Sequence, residues 1–338
     1  MFLCLCQSAV PLEMEEYMQD VVIIGGGTAG LTAALYLLRA GKQVLVLESE
    51  VFGGQISSSP RVENYPGIMQ ISGSEFTDQL LEQVLSLGAR VEMERAVAIR
   101  DENGQKCVVT EEHEYPCKSI IIATGSKHRH LGLPKEEELT GRGVSYCAVC
   151  DGAFFRGKDT AVVGGGSAAL QSAIYLSQFC SHVYLIVRRD VFRGEPHLVK
   201  TVGEKENISV LFHTVVTALE GDTVLTGLDL KRTDTGETSH LPVSGLFVSI
   251  GQAPDNAAFS DILDLDSAGY IAAGEDCKTS SAGVFAAGDC RTKAVRQLTT
   301  AASDGRVSAL AACNYMDAME YRHAASQKNS RQMRIWKL

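Results

Sequence analysis

Short runs of aliphatic and β-branched residues, each followed by a glycine-rich turn and a longer apolar stretch, occur twice in this chain. The first copy spans residues 21–40 and the second spans residues 160–179. A short continuous apolar run is typical of a buried strand, and the longer stretch behind the turn is typical of a helix. The repeat therefore predicts two strand–turn–helix units, one in each half of the chain.

The small residues of both turns have the spacing of a dinucleotide-binding fingerprint. They are Gly25, Gly27 and Gly30 in the first turn, and Gly164, Gly166 and Ala169 in the second. Small residues at these places let the backbone turn tightly, approach a pyrophosphate at the helix N-terminus and pack the helix closely. Such a turn also forms for packing alone, so its context decides. The two copies predict two nucleotide sites.

The residue 23 positions beyond the first glycine differs between the copies. In the first copy it is Glu48, at the end of a predicted strand, where an acid binds a ribose hydroxyl. In the second copy it is Val187, and the arginines that follow are Arg188, Arg189 and Arg193. Guanidinium groups bind a ribose 2′-phosphate that a carboxylate would repel, so the second site is predicted to prefer NADPH to NADH. The alternative is a solvated surface turn.

Further strands indicate how the two units are connected. Predicted strands at residues 119–123 and 245–250 are each followed by a glycine turn, and the second unit lies between them. After it, residues 283–289 resume the pattern of the first unit, and residues 299–312 have a helical pattern. The predicted fold class is α/β, with two Rossmann-like domains and the second inserted into the first.

Composition narrows the classes of function. With a net charge of −10 and a pI near 5.3, the chain has no basic stripe for nucleic acid. No run approaches the ~18 apolar residues that a membrane span needs, and the N-terminus lacks the basic segment of a secretory signal. The ten cysteines are scattered through a long chain. This distribution indicates reduced thiols and a cytoplasmic protein.

One pair of cysteines carries a redox motif, Cys147-Ala148-Val149-Cys150-Asp151. A C-x-x-C pair serves either as a redox dithiol or as half of a zinc site. Zinc normally takes four ligands, and apart from the neighbouring His128 and His130 the sequence offers no second set. We therefore predict no metal and a disulfide that forms within one turn. Asp151 is either an acid–base partner of this pair or a helix N-cap.

Taken together, these motifs resemble those of the low-molecular-weight thioredoxin reductases, which are FAD-containing homodimers. The resemblance covers about residues 20–320. The motifs that carry it are, in chain order, Gly25-x-Gly27-x-x-Gly30, Gly53-Gly54-Gln55, Val62-Glu63-Asn64-Tyr65-Pro66-Gly67, Ala123-Thr124-Gly125, Cys147-Ala148-Val149-Cys150-Asp151, Gly164-x-Gly166-x-x-Ala169, Arg188-Arg189-x-x-x-Arg193, Gly288-Asp289 and Arg296-Gln297.

The resemblance implies where both cofactors bind. The residues implied around FAD are Gly25, Gly27, Gly30, Glu48, Gln55, Asn64, Gly125, Gly288, Asp289, Arg296 and Gln297. Those implied around NADPH are Gly166, Ser167, Ala168, Arg188, Arg189 and Arg193. The implied segments are an N-terminal tail (1–19), an FAD-binding domain (20–127 and 248–320), an NADPH-binding domain with the redox pair (128–247) and a loosely ordered C-terminal tail (321–338).

By the same resemblance the protein is a thioredoxin-disulfide reductase. Electrons would pass from NADPH through FAD to the cysteine disulfide, and then to thioredoxin or a thioredoxin-like protein. Cys150 would face the flavin, Cys147 would attack the partner disulfide, and Asp151 would be the acid–base residue. The family also rotates its two domains against each other, with a hinge expected near residues 124–130 and 246–251.

Departures from the family pattern leave rival functions to weigh. Val187 replaces a common histidine, Gln171 and Ser172 replace common acids, and the turn Ser167-Ala168 lacks the usual Asp or Asn before the serine. The rivals are a flavoprotein of the same fold that uses ferredoxin or NADH, an oxidase of small dithiols, and a nonenzymatic flavin-binding redox sensor. The retained arginines and cysteine pair favour the NADPH-dependent reductase.

Overall fold

The computed structural model describes residues 18–59, 61–102 and 104–335. Residues 1–17 of the predicted N-terminal tail and residues 336–338 of the predicted C-terminal tail lie outside the described residues.

The first part of the chain builds a sheet around the first strand–turn–helix unit. Its elements are β1 (Gln19–Ile24), α1 (Thr28–Arg39), β2 (Val44–Leu47), α2 (Gly73–Ser86), β3 (Arg90–Glu92), β4 (Ala96–Glu102), β5 (Gln105–Thr110) and β6 (Glu114–Ile122). β1 pairs in parallel with β2 and β6, and β5 pairs antiparallel with β4 and β6. All four residues of β2 are buried, as expected for a continuous aliphatic strand covered on both faces.

The chain then crosses to a second sheet. The elements of this part are β7 (Ser126–His128), α3 (Glu136–Leu139), β8 (Val144–Ser145), α4 (Ala148–Asp151), β9 (Asp159–Val163), α5 (Ser167–Leu176), β10 (His182–Ile186), α6 (Pro196–Gly203), β11 (Ile208–Leu211), β12 (Thr214–Glu220), β13 (Gly227–Arg232), β14 (Thr238–Leu241), β15 (Gly245–Val248) and β16 (Gln252–Pro254). The parallel sheet has the order β11-β10-β9-β15-β8, and β12, β13 and β14 form an antiparallel sheet.

The chain returns to the first sheet beside its point of departure. The two crossing strands, β7 and β16, pair antiparallel with each other. After them β17 (Val284–Ala286) pairs in parallel with β6, and α7 (Leu298–Ile335) follows. The second sheet is therefore an insertion into the first, which confirms the predicted fold class.

Two apolar layers enclose the first sheet. On one face, Ile121 packs in a buried cluster with Leu31 of α1 and Ala312 of α7. On the other face, Ile122 packs in a second cluster with Phe259. The two faces are used by alternate residues of β6 because successive side chains of a strand point in opposite directions. The glycine turn after β1 thus lies at the end of a sheet that is covered on both sides.

The C-terminal helix is longer than the sequence pattern predicted. Residues 299–312 were expected to be helical and residues from 321 onward to form a loose tail, but α7 runs on to Ile335. The expectation of a tail was wrong because residues 306–335 contain neither glycine nor proline to end the helix. Within the described part of the chain, no helix combines the length and apolar character required to cross a membrane.

Candidate active site

Close backbone approaches shape the first glycine turn. Gly25 has φ +110°, and a Cβ built on it would lie 2.3 Å from the carbonyl oxygen of Ala123. A Cβ on Gly30 would lie 1.9 Å from the carbonyl oxygen of Gly25, whereas one on Gly27 would meet nothing closer than 3.7 Å. α1 also begins without a side-chain cap. The turn therefore offers open space and unpaired backbone N–H groups, where an anion such as a pyrophosphate binds.

Glu48 is buried directly after β2, and backbone groups hold its carboxylate. Oε2 accepts a hydrogen bond from the N–H of Gly26 at 2.8 Å. Oε1 accepts from the N–H groups of Ser49 at 2.8 Å and Glu50 at 2.9 Å. Because a carboxylate has about four acceptor positions, one remains for a ribose hydroxyl. Glu48 thus fixes the glycine turn in addition to the role that the sequence predicted for it.

A third loop, after β17, meets the same turn. A Cβ on Gly288 would lie 2.8 Å from the Cβ of Ala29 in α1. Near it, Oδ1 of Asp289 and Nε of Arg296 are buried without a hydrogen-bond partner among the described residues. Burial raises the pKa of Asp289. Because buried polar atoms are nearly always paired, this unpaired acceptor and donor fit a polar ligand, and the hydroxyls and ring edge of FAD supply matching groups.

Of the other residues expected around FAD, Gln55 lies in the short helix Gly54–Ser58, and Asn64, Gly125 and Gln297 lie on loops. Gln55 follows Gly53, which pairs with Gly27 of the turn in an isolated bridge. The side chains of Asn64 and Gln297 make no hydrogen bond within the described chain. The structure therefore brings Gln55 to the turn through its neighbours and leaves the two other amides available to a ligand.

Asp304 of α7 holds the loop that carries Asp289. Its Oδ2 accepts hydrogen bonds from the N–H of Gly288 at 2.9 Å, from Nε of Arg291 at 2.8 Å and from Nζ of Lys293 at 2.9 Å. Burial acts to raise the pKa of Asp304, but the hydrogen bonds from Arg291 and Lys293 outweigh it, and the pKa is lowered. Sequence reasoning missed this residue because its partners meet it only in the fold. The sequence feature that could have pointed to Asp304 is the presence of an acidic residue within a predicted alanine-rich helix.

Replacing this carboxylate is expected to destabilise the first domain. Asp304→Asn removes the buried charged partner of Arg291 and leaves only the exposed Glu275, which should lower the free energy of unfolding by about 3 kcal/mol. Urea unfolding monitored by circular dichroism measures the free energy of unfolding. Because the native pKa is lowered, the contribution of Asp304 is present at neutral pH and is lost as the pH falls through that pKa. Asp317→Asn on the exposed side of the same helix is the control, and an equal loss in both variants would contradict this role.

The second glycine turn has the same construction as the first. Gly164 has φ +146°, and a Cβ on it would lie 2.3 Å from a backbone carbonyl oxygen that follows β15. A Cβ on Gly166 would meet nothing within 4 Å, and α5 begins at Ser167 without a side-chain cap. The Ser167 hydroxyl accepts a hydrogen bond from the N–H of Glu195 at 3.1 Å, and Ala168 is exposed. This turn can therefore also receive an anion at a helix N-terminus.

Three exposed arginines follow β10 beside this turn: Arg188, Arg189 and Arg193. The N–H of Arg193 donates to the carbonyl oxygen of Gly165 at 2.7 Å, which ties the loop to the turn. Within the described residues none of the three guanidinium groups forms an ion pair. Val187 is buried in the apolar core and lies 3.0 Å from the position of a Cβ on Gly165. Having Val187 in place of the common histidine therefore affects packing in the core. The three arginines keep no ion-pair partner within the described residues and can bind a phosphate.

Cys147 and Cys150 are joined by a disulfide at the start of α4. Cys147 is the N-cap of this one-turn helix, and the N–H of Cys150 points to its sulfur at 3.2 Å. Cys150 is exposed and Cys147 is partly buried. Two residues between the cysteines are enough for the helix to close the disulfide, as the spacing predicted.

Asp151 is partly buried next to the disulfide. Its Oδ2 accepts a hydrogen bond from the Ser145 hydroxyl at 2.6 Å. Burial raises the pKa of Asp151, and the bond from Ser145 acts against this change. Asp151 directly precedes the short helix Gly152–Phe155, yet its side chain makes no capping hydrogen bond there. Asp151 therefore has the N-cap position without a side-chain cap, and a carboxyl that retains its proton to higher pH suits acid–base chemistry.

The two domains touch close to the disulfide. The guanidinium of Arg61, on the loop after the short helix Gly54–Ser58, lies 4.5 Å from the ring centroid of Phe154 in the inserted domain. Phe154 is four positions beyond Cys150. A cation over an aromatic ring is attractive by about 0.5–1 kcal/mol at exposed sites. This contact brings the segment of the cysteine pair next to the loop that carries Arg61.

Comparison with known proteins agrees with this geometry. The pyridine nucleotide-disulphide oxidoreductase family matches residues 19–305. A thioredoxin reductase from Mycolicibacterium smegmatis is 43% identical over 296 residues, which cover 87% of this chain and 95% of the relative. The thioredoxin reductase of Streptococcus pyogenes superposes with a TM-score of 0.86 at 38% identity, covering 89% of this chain and 99% of that structure.

A further solved structure resembles the chain less closely as a whole. The Lactococcus lactis thioredoxin reductase in its FR conformation has a TM-score of 0.61 at 40% identity, covering 88% of this chain and 98% of that one. Its identity and coverage are close to those of the S. pyogenes enzyme, so the lower TM-score does not come from lower sequence identity or from a shorter matched segment. The sequence, the two glycine turns and the disulfide lead to one conclusion: this chain belongs to the pyridine nucleotide-disulphide oxidoreductase family, among its thioredoxin reductases.

Proposed function

We propose that the protein moves electrons from NADPH, through FAD, to the disulfide of Cys147 and Cys150, and from there to the disulfide of thioredoxin or a thioredoxin-like protein. The observation that carries the proposal is the disulfide beside a carboxyl with a raised pKa, set between two domains that each have an uncapped helix N-terminus behind a glycine turn. The relatives named thioredoxin reductase support this acceptor.

The proposed cofactor sites are those expected from the sequence. FAD, when bound, supplies the two-electron chemistry that links a nicotinamide to a dithiol. Gly27 gives it open space, Glu48 retains one acceptor position, and Asp289 and Arg296 offer unpaired polar atoms. For NADPH, the turn at Gly166 faces open space and the arginine cluster lies beside it.

The cysteine pair performs the exchange with the partner. In the dithiol state the Cys147 thiolate attacks a partner sulfur, a mixed disulfide forms and the partner's other sulfur leaves as a thiolate. The Cys150 thiolate then attacks Cys147, which restores the internal disulfide and releases the partner as a dithiol. Asp151 donates or accepts the proton as the sulfur atoms change charge.

A covalent trap tests these roles. Cys150→Ser should react through Cys147 with a thioredoxin that keeps one cysteine, activated as a thionitrobenzoate mixed disulfide. The expected product is a stable one-to-one conjugate that Cys147→Ser forms far more slowly. Equal trapping by both variants would contradict the assignment of roles, and trapping by neither would contradict thioredoxin as the partner.

Domain rotation would bring the partly buried Cys147 to the partner. The paired strands β7 and β16 are the proposed hinge, and they join the proposed FAD-binding segments 20–127 and 248–320 to the NADPH-binding segment 128–247. The contact between Arg61 and Phe154 would break in that motion. The lower similarity to the FR conformation is what two domain placements would produce.

The arginine cluster should determine which nicotinamide is used. Arg189→Ala is expected to raise KM for NADPH roughly 10–100-fold, because a charge-assisted hydrogen bond to the 2′-phosphate is lost. KM for NADH, which lacks that phosphate, should stay unchanged. Lys200→Ala on α6 removes an exposed cation of the same domain and is the control. An equal loss with both donors would show that Arg189 does not contact the 2′-phosphate.

We also propose a cytoplasmic homodimer. The dimer follows from the family resemblance, and sedimentation of the purified protein tests it. Six further cysteines in the described chain carry no disulfide: Cys107, Cys117, Cys180, Cys277, Cys290 and Cys313. Free thiols in this number support a reducing compartment.

A further inference from the structure

Ser145 links the redox pair to its neighbouring carboxyl. Its hydroxyl donates to Oδ2 of Asp151 at 2.6 Å and accepts from the N–H of Cys147 at 3.1 Å. Ser145 is 4% exposed and is the last residue of β8. Since β8 pairs with β15 through Phe247 opposite Ser145, the hydroxyl is attached to the sheet. Asp151, by contrast, ends a single-turn helix.

We propose that Ser145 is a positioning residue that holds the Asp151 carboxyl in place for proton transfer to the cysteine sulfurs. This inference deepens the proposed function and rests on it. The bond from Ser145 occupies Oδ2, so Oδ1 is the atom left to exchange a proton. Because the same hydroxyl accepts from the N–H of Cys147, one side chain fixes the position of the Asp151 carboxyl relative to Cys147.

The proton balance of the reaction shows at which step the Asp151 carboxyl is needed. Opening the disulfide takes two electrons, supplied by NADPH, and breaks one S–S bond to give two thiolates. Asp151 in its acid form gives one proton to a sulfur and becomes a carboxylate, and solvent restores that proton later. In the exchange with the partner disulfide, the two partner sulfurs leave as thiolates and take up two protons. Asp151 must therefore be protonated at the start of each cycle, and its pKa decides the pH at which that holds.

Few other groups influence this carboxyl. α4 packs against α5 and the short helix Gly152–Phe155, and neither contains a charged residue. Tyr175 is the titratable side chain of α5, and it packs edge-on against Phe179. Burial is the first cause of the raised pKa of Asp151, and the bond from Ser145 opposes it. Removing the Ser145 hydroxyl therefore leaves the effect of burial uncompensated, and the pKa should rise further.

The test is the pH profile of thioredoxin reduction by the holoenzyme. As a proton donor, Asp151 supports activity below its pKa, and activity falls as the pH rises through it. In Ser145→Ala that descending limb should move to higher pH by about one unit, because a hydrogen bond to a charged group is worth about that much. Ser145→Thr keeps the hydroxyl and should restore the wild-type limb. Ser181→Ala, whose hydroxyl donates to the carbonyl of Gly157, is the control.

A second measurement separates this inference from the proposed function. Infrared titration of the Asp151 carboxyl band, identified by its absence in Asp151→Asn, needs no thioredoxin and should show a higher pKa in Ser145→Ala. A uniform loss of rate with an unmoved limb and an unmoved band would overturn the positioning role. If wild-type protein failed to reduce thioredoxin while the band still moved, the proposed acceptor would be wrong and the positioning role would stand.

Discussion

Replacing either redox cysteine is expected to stop electron transfer to thioredoxin while leaving the flavin reducible. In Cys147→Ser and Cys150→Ser the disulfide that accepts electrons is gone, so turnover with thioredoxin should fall roughly 10³-fold or more. Losses of this size are typical of catalytic residues that function only together. NADPH should still bleach the flavin, because the two glycine turns that we propose to bind the cofactors are intact. Stopped-flow absorbance of the flavin, with turnover measured in parallel, checks both halves.

The control for this prediction is another cysteine that the proposal does not use. Cys313→Ser changes a partly buried free thiol on α7 and should leave turnover unchanged. Turnover that persisted in both redox variants would contradict the route through the disulfide. Loss of bleaching in the two variants would show instead that they fail to bind the cofactors.

The second large effect is expected at the first glycine turn. In Gly30→Ala the new Cβ would lie 1.9 Å from the carbonyl oxygen of Gly25, and the neighbouring backbone cannot move away cheaply. The turn must open, and overpacking of this kind costs about 1–3 kcal/mol. FAD affinity should fall roughly 10–100-fold. Flavin fluorescence after gel filtration, which reports how much cofactor the protein retains, measures the change.

A matched glycine lies in the inserted domain. Gly203 is also helical, at the end of α6, and a Cβ on it would meet nothing within 4 Å. Gly203→Ala should retain FAD fully and stabilise the helix by about 1 kcal/mol or less. Equal retention of flavin by both variants would contradict the prediction that FAD binding depends on the close approach between Gly30 and the carbonyl oxygen of Gly25.

The fold was predictable where local pattern and geometry coincide. The strand at residues 21–24 and the turn from Gly25 to Gly30 need only apolar runs and small residues, and the structure has them in place. The end of α7 was predicted wrongly, because the polar sequence after residue 320 indicated a loose tail. That stretch contains no helix breaker, and the helix continues through it. Polarity alone does not separate an exposed helix from a loop.

The residues of the sequence motifs could be predicted, whereas the residues that hold those motifs in position could not. Cys147, Cys150 and the glycine turns follow a spacing that the sequence displays. Asp304 and Ser145 do not, because their importance comes from partners that the fold brings together, such as the N–H of Gly288. Either use of a carboxyl after a cysteine pair is compatible with the sequence, and the structure adds that Asp151 makes no capping hydrogen bond and that burial raises its pKa.

The most direct test of the central claim is anaerobic oxidation of NADPH by the purified flavoprotein, with and without thioredoxin from the same organism. The account predicts slow oxidation alone and rapid oxidation when thioredoxin is added, with one NADPH consumed for each thioredoxin disulfide reduced. Bleaching of the flavin without turnover of thioredoxin would contradict the acceptor. A flavin that NADPH failed to bleach would contradict the donor and, with it, the proposed electron path.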